Sequence, residues 1–204
     1  FDRHGNRMSF YYDAFGELDL VIDTYGRQIQ FVFENGSDGV RRLASVRDFA
    51  GREVRYSYDQ HGDLVAVRSP VVTGTSTGND FPNGRTTRYT YLSGYEFPQT
   101  LLNHNLTSVT YPQEVADGGP PALQFVYGTD PQPPTFDKGI ERIEGGTNAS
   151  GVPAGGSVTY AYEALPPESA AQLGIPDAPG RATLTDRRGT QRHRVAAART
   201  YHLA

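Results

Sequence analysis

Tyr56-Ser57-Tyr58-Asp59 puts two aromatic rings and a carboxylate within four residues. Phe10-Tyr11-Tyr12-Asp13 offers a similar set. Rings that stack on a sugar, beside a carboxylate that binds its hydroxyls, would make a glycan platform. Glycoside hydrolysis would need two acids about 5–10 Å apart on one cleft. Acids are plentiful, but none stands out from a recurring turn pattern. The five histidines, His4, His61, His104, His193 and His202, are scattered, and no two have metal-ligand spacing on one element. His4 and His61 occupy equivalent slots before Gly5 and Gly62, which points to a structural role. No Gly-x-Ser-x-Gly elbow is present. The Gly-rich stretch 144–156 lacks a phosphate-binding lysine and a following helix, and reads as a mobile loop. Asn35, Asn105 and Asn148 open glycosylation-type triplets, which read as chance matches. The aromatic-carboxylate sets recur in register, and a catalytic set would not be copied six times. The reading is therefore structural: aromatics stack on one another and aspartates build turns, with no catalytic, metal or cofactor residues assigned.

The elements that carry these residues are iterated hairpins. Val54, Tyr56 and Tyr58 alternate with Glu53, Arg55 and Ser57, the period of two that puts rings on one face of a strand. Asp59-Gln60-His61-Gly62 supplies a turn, and Leu64 to Val67 returns. Gly5, Phe10, Tyr12, Asp13, Gly16 and Leu18 repeat this order, with Gly5 and Gly51 offset by 51 − 5 = 46. Further outward strands carry Phe31 and Phe33, Tyr89 and Tyr91, Phe125 and Tyr127, and Tyr160 and Tyr162. Their expected returns are Leu43 to Val46 (after a turn at Asn35-Gly36), Leu106 to Val109, Ile140 to Ile143, and Ala182 to Thr185. Asp2, Asp23, Asp48 and Asp186 each stand three residues before a glycine, namely Gly5, Gly26, Gly51 and Gly189. Return strands read Leu-x-x-Val, which strict alternation would split between two faces, so either both faces are partly covered or a bulge intervenes.

"RYSYDQHGDL" (55–64) and "SFYYDAFGEL" (9–18) resemble the Tyr-Asp repeat of RHS/YD-repeat proteins. That consensus runs roughly Gly-x-x-x-x-Tyr-x-Tyr-Asp-x-x-Gly-x-Leu. Gly51, Tyr56, Tyr58, Asp59, Gly62 and Leu64 match it throughout. "LTSVTYP" (106–112) and "TDRRG" (185–189) are similar to its linking strands. The resemblance covers repeats across 1–189, with insertions at 70–84, 92–104, 128–139 and 163–180, and a divergent segment at 190–204. It implies an all-β, antiparallel hairpin sheet that curves and spirals into part of a hollow shell. Its partners would be neighbouring repeats of one longer polypeptide and an enclosed toxin segment. It also implies a secreted or cell-surface setting, most often bacterial. Asp130-Pro131 is similar to the Asp-Pro of the family's self-cleaving core, but lacks the Gly expected two residues on, so autoproteolysis is not expected here. An extracellular adhesion module is the alternative function. A β-propeller is the rival fold, but its blades need four strands where this spacing provides two.

Composition agrees with strands and turns. The 204 residues include 13 Tyr, 10 Phe, 23 Gly and 14 Pro, with no Cys or Trp. A net charge of −4 gives no basic field for nucleic acid or an anionic membrane surface. No cysteine means no disulfide, thiolate metal site or cysteine nucleophile. No run is long enough to span a membrane as a helix. "PPESAAQLG" (166–174) is expected to form one or two helical turns. The chain opens inside a repeat and reads as a segment of a longer polypeptide.

Overall fold

A computed structural model describes residues 2–78, 80–131, 135–145, 155–164, 166 and 180–196. The chain forms two compact units, Phe1–Thr90 with Thr110–Gly119, and Tyr91–Val109 with Pro120–Ala204. The architecture is all-β and antiparallel, built from hairpins. The first unit carries β1 (Ser9–Tyr12), β2 (Leu18–Ile22), β3 (Gln28–Asn35), β4 (Arg41–Asp48), β5 (Glu53–Tyr58), β6 (Leu64–Arg68) and nearly all of β7 (Thr86–Tyr91). Each strand pairs with its chain neighbour. The second unit holds nearly all of β8 (Leu106–Thr110), then β9 (Leu123–Tyr127), β10 (Gly139–Glu144), β11 (Gly156–Ala164), β12 (Gly180–Thr185) and β13 (Gln191–Ala196), again in chain order. The six aromatic outward strands are β1, β3, β5, β7, β9 and β11.

Bulges settle the Leu-x-x-Val question. Phe10 faces Val21 and Tyr12 faces Leu18, with the register slipping between Tyr11 and Tyr12. Phe31 faces Val46 and Phe33 faces Leu43. Tyr56 faces Val67 and Tyr58 faces Leu64. In each case one extra residue of the return strand, Asp19, Ala44 or Val65, lies at the slip. That residue rotates the strand by one side chain. Residues three apart thereby share the aromatic face. The β11–β12 pair has no slip, and there the partners of Tyr162 and Tyr160 are Ala182 and Leu184, two apart.

Several details differ from the sequence expectation. The β3–β4 turn is not centred on Asn35-Gly36. Gly36 begins it, and Gly39 takes the left-handed conformation at φ 76. In β10 the residues opposite Tyr127 and Phe125 are Gly139 and Arg142, while Ile140 is the bulge residue and Ile143 pairs with Gln124. The bulge thus overrides the apolar pair that sequence alone would place on the ring face. Residues 191–196, within the segment expected to diverge, form β13 against β12, because backbone pairing does not require the aromatic pattern. The predicted helix at 166–174 lies outside the described residues except Pro166. A short helix instead occupies α1 (Pro112–Asp117), with Pro112 in its first turn and left-handed Gly118 at its end.

Little of either unit is deeply buried. Among the described residues the buried apolar side chains are Val21, Leu102 and Val109. Most ring-face residues are half-buried by their neighbours in the same sheet. Cross-strand pairs of about 0.2–1 kcal/mol each are therefore the main unit of stabilisation.

Candidate functional site

What recurs is the way consecutive strands are connected and tied together. It has two parts, a turn and a tyrosine staple. In the turn at Asp13, the aspartate N–H donates to the Glu17 carbonyl (2.9 Å), and the Gly16 N–H donates to the Asp13 carbonyl (3.1 Å). The Asp13 carboxylate accepts the N–H groups of Phe15 and Glu17 at 2.8 and 3.0 Å. Asp2, Asp23, Asp48, Asp59 and Asp186 build the same turn. One carboxylate satisfies two backbone donors that a tight reversal leaves without ladder partners. Left-handed glycine closes it, as Gly51 does at φ 77 and Gly62 at φ 86.

These bonds favour the ionised carboxylate. The Arg52 side chain lowers the Asp48 pKa most, against a desolvation cost, and the N–H groups of Arg52 and Ala50 lower it further. Asp186 is lowered chiefly by the N–H groups of Thr190 and Arg188. The Asn6 side chain and N–H lower Asp2.

The staple was not legible in sequence. The Tyr58 hydroxyl donates to the Leu43 carbonyl at 3.0 Å, Tyr127 to Leu106 at 3.0 Å, and Tyr162 to Gly139 at 2.8 Å. Each bond reaches from an outward strand to the return strand of the preceding hairpin. For Leu43 and Gly139 the acceptor lies directly before the bulge residue. The bulge thus serves two ends, aligning the aliphatic residues and presenting a carbonyl to the next ring. Burial raises the pKa of all three tyrosines, so the hydroxyls remain donors at neutral pH. Phe33 stands in the same slot without a hydroxyl.

Cations add links on the ring face and the turns. Arg41 bonds Glu17 at 2.8 Å and Asp13 at 3.1 Å, and its guanidinium lies 4.3 Å from the Phe15 ring. Arg42 lies 5.8 Å from the Tyr58 ring, and Lys138 5.0 Å from the Tyr162 ring. Arg27 stands 5.5 Å from both Tyr25 and Phe49, which project from two turns. Such contacts contribute about 0.5–1 kcal/mol where exposed.

The insertions are ordered where described. Val72 and Phe81 form a bridge, and Asp80 ties down Gly74 and Thr75. Within residues 92–105, Leu102 has no exposed surface. There the Asn103 side chain bonds both the N–H and the carbonyl of Tyr95, at 2.9 and 2.8 Å.

The structure brings Phe10, Tyr12, Leu18, Phe31, Phe33, Tyr56, Tyr58 and Leu64 onto one face of the first unit. Phe125, Tyr127, Tyr160 and Tyr162 share a face in the second. Tyr89 and Tyr91 keep the alternation in β7. Gly5, Gly16, Gly26, Gly51 and Gly62 all adopt positive φ in turns. The His4 and His61 N–H groups bond Asp2 and Asp59 within those turns. His104 lies in the 92–105 insertion with its N–H on the Leu92 carbonyl. Asp130 is exposed in the insertion after β9. Asn35 is exposed at the end of β3, and the Asn105 amide bonds Asp137 at 2.6 Å. Asn148, His202, the His193 side chain and most of the 144–156 loop lie outside what is described. No group of three or more His, Asp or Glu residues suited to a metal is found among the described residues. No helix among them is long and apolar enough to cross a membrane.

No known protein family matches the chain's sequence, and no curated protein does. Two similar solved structures are crystal structures of TcdB2-TccC3-TEV and TcdB2-TccC3-Cdc42. The first matches with TM-score 0.46 and 14% identity over 92% of this chain and 9% of that one. The second matches with TM-score 0.33 and 12% identity over 91% of this chain and 12% of that one. The chain therefore spans about a tenth of the length of the structures it is similar to.

Proposed function

We propose that this chain is a wall segment of a larger YD-type β-shell that encloses a toxic polypeptide for secretion or delivery. The observation that carries the reading is how the hairpins are joined: three hydroxyl-to-carbonyl staples tie an outward strand to the preceding return strand, and the Asp-x-x-Gly turns at Asp23, Asp48 and Asp186 lead from a return strand into the next strand. Side chains that serve inter-strand joining in both units suit a continuous wall. On this reading the segment does no chemistry of its own and needs no cofactor. Its partners are neighbouring repeats and an enclosed cargo, and its setting is secreted or at a bacterial surface. A cryo-EM map of the full-length parent protein tests this. A closed wall around internal density would support it, and an open ribbon would refute it.

Adhesion is the second reading, favoured by the turn rings. Tyr25 is 81% exposed and Phe49 59% exposed, and both hold Arg27. Saturable glycan or surface-protein binding that is lost in Tyr25→Ala would move the assignment there.

A further inference from the structure

We propose that the cleft between the 70–84 insertion and α1 binds a uronic-acid sugar, with Arg85 holding its carboxylate and Glu114 accepting from a ring hydroxyl. The inference stands apart from the wall reading. It gives the adhesion reading a ligand class, at a place other than the turn rings.

Every residue that lines the cleft belongs to the first unit. Its volume is 730 Å³, within the range of about 300–1,000 Å³ for small-molecule sites. One wall is the stretch 80–86, and the other is 111–116.

Backbone bonds fix the first wall. Phe81 and Val72 exchange N–H to carbonyl bonds at 2.6 and 3.0 Å, and the Gly84 N–H donates to the Phe81 carbonyl at 2.9 Å. Arg85 is pinned to Ser69 from both sides. Its N–H donates to the Ser69 hydroxyl at 2.8 Å, and its carbonyl accepts the Ser69 N–H at 2.8 Å. Gly84 sits at φ 69, and a Cβ there would collide with the Ser69 carbonyl oxygen, so this approach needs glycine.

The side chains then leave three groups unmatched. The Arg85 guanidinium lies 3.6 Å from the centre of the Phe81 ring, which sets its plane and leaves its N–H edge to a partner. It has no acceptor among the described residues. Asp80, on the same wall, commits both carboxylate oxygens to Gly74 and Thr75 and makes no bond to Arg85. On the other wall Glu114 Oε2 is buried with no hydrogen-bond partner, which costs stability until a donor reaches it. The Tyr111 ring is 46% exposed.

Simpler ligands match only part of this set. An inorganic anion would pair with Arg85 but meet like charge at Glu114. A neutral sugar would serve Glu114 and stack on Tyr111, but bring no charge to the guanidinium. A uronic-acid residue supplies all three: a planar carboxylate for the guanidinium fork, hydroxyls that donate to a carboxylate, and a C–H face for a ring.

The test titrates the 204-residue chain with trigalacturonic acid, by calorimetry and by backbone NMR. Binding should saturate, shift the amides of Arg85 and Tyr111, and weaken as salt rises. Arg85→Gln should weaken it about tenfold or more, the loss of a charge-assisted pair, with Tm unchanged because Arg85 is exposed. Arg85→Lys keeps the charge without the fork and should fall between the two. Arg88→Gln, in the same strand but outside the cleft, should bind as the parent chain does. No saturable binding, equal affinity for the neutral galactose trisaccharide or for a triaspartate peptide, or undiminished binding by Arg85→Gln would each overturn the proposal. Binding that survives Arg85→Gln but is lost in Tyr25→Ala would refute this cleft while keeping the adhesion reading.

Discussion

Tyr58→Phe isolates the staple. It removes one hydroxyl, keeps the ring beside Arg42, and leaves the Leu43 carbonyl without the donor now 3.0 Å away. Leu43 is half-buried, so water can partly replace that donor. The loss should therefore sit near the net value of a neutral hydrogen bond, about 1 kcal/mol, and below the cost of a fully buried orphan. For a chain of this size that is about 2–4 °C in Tm. Urea unfolding of the 204-residue chain, followed by far-ultraviolet circular dichroism, should show a midpoint lower by about 0.5 M at an m-value near 2 kcal/mol/M. Tyr56→Phe is the control, since the Tyr56 hydroxyl has no partner among the described residues, and it should change stability by less than about 0.5 kcal/mol. The reverse change should help: Phe33→Tyr places a hydroxyl where the shared register offers the Leu18 carbonyl, and should gain up to about 1 kcal/mol. Equal losses from Tyr58→Phe and Tyr56→Phe would refute the staple as a stabilising bond.

Acid should weaken the chain through its turns. The pKa values of Asp2, Asp48 and Asp186 are lowered in the folded state, so their stabilisation is present above the unfolded value near 4 and lost as pH falls below it. The urea midpoint should fall steadily from pH 5 to pH 2.5, and Asp48→Asn should make that fall shallower. Leu102→Ala should cost about 2–5 kcal/mol by opening a cavity where a fully buried side chain now packs. Amide exchange should report that loss around Tyr95 and Asn103, whose side chain-to-backbone pair lies in the same insertion. An unchanged exchange rate there would contradict a role for Leu102 in holding that part of the insertion.

Strand identity and turn position were written in the sequence because both arise from neighbours in the chain. Alternation of Val54, Tyr56 and Tyr58 sets a face within six residues. An aspartate reaching the N–H groups two and four residues on, with a left-handed glycine between, sets a reversal within five residues. The helix at Pro112–Asp117 was equally local, since Pro112 at its start and Gly118 after its end were signals that the strand pattern around them obscured. Bulges, register and staples were not legible, because they depend on which strand lies alongside. Tyr56 and Tyr58 are the same residue type two positions apart. Only Tyr58 reaches a carbonyl, and that carbonyl belongs to Leu43, fifteen residues earlier. Ile140 looked like a face residue until pairing with β9 made it the bulge and turned Arg142 toward Phe125. The sequence by itself determined the hairpins and their turns, which short-range sterics and hydrogen bonds fix. The tertiary structure decided how each hairpin locks to the next, since a one-residue slip between strands exchanges every side chain between faces, and only the neighbouring strand selects the slip.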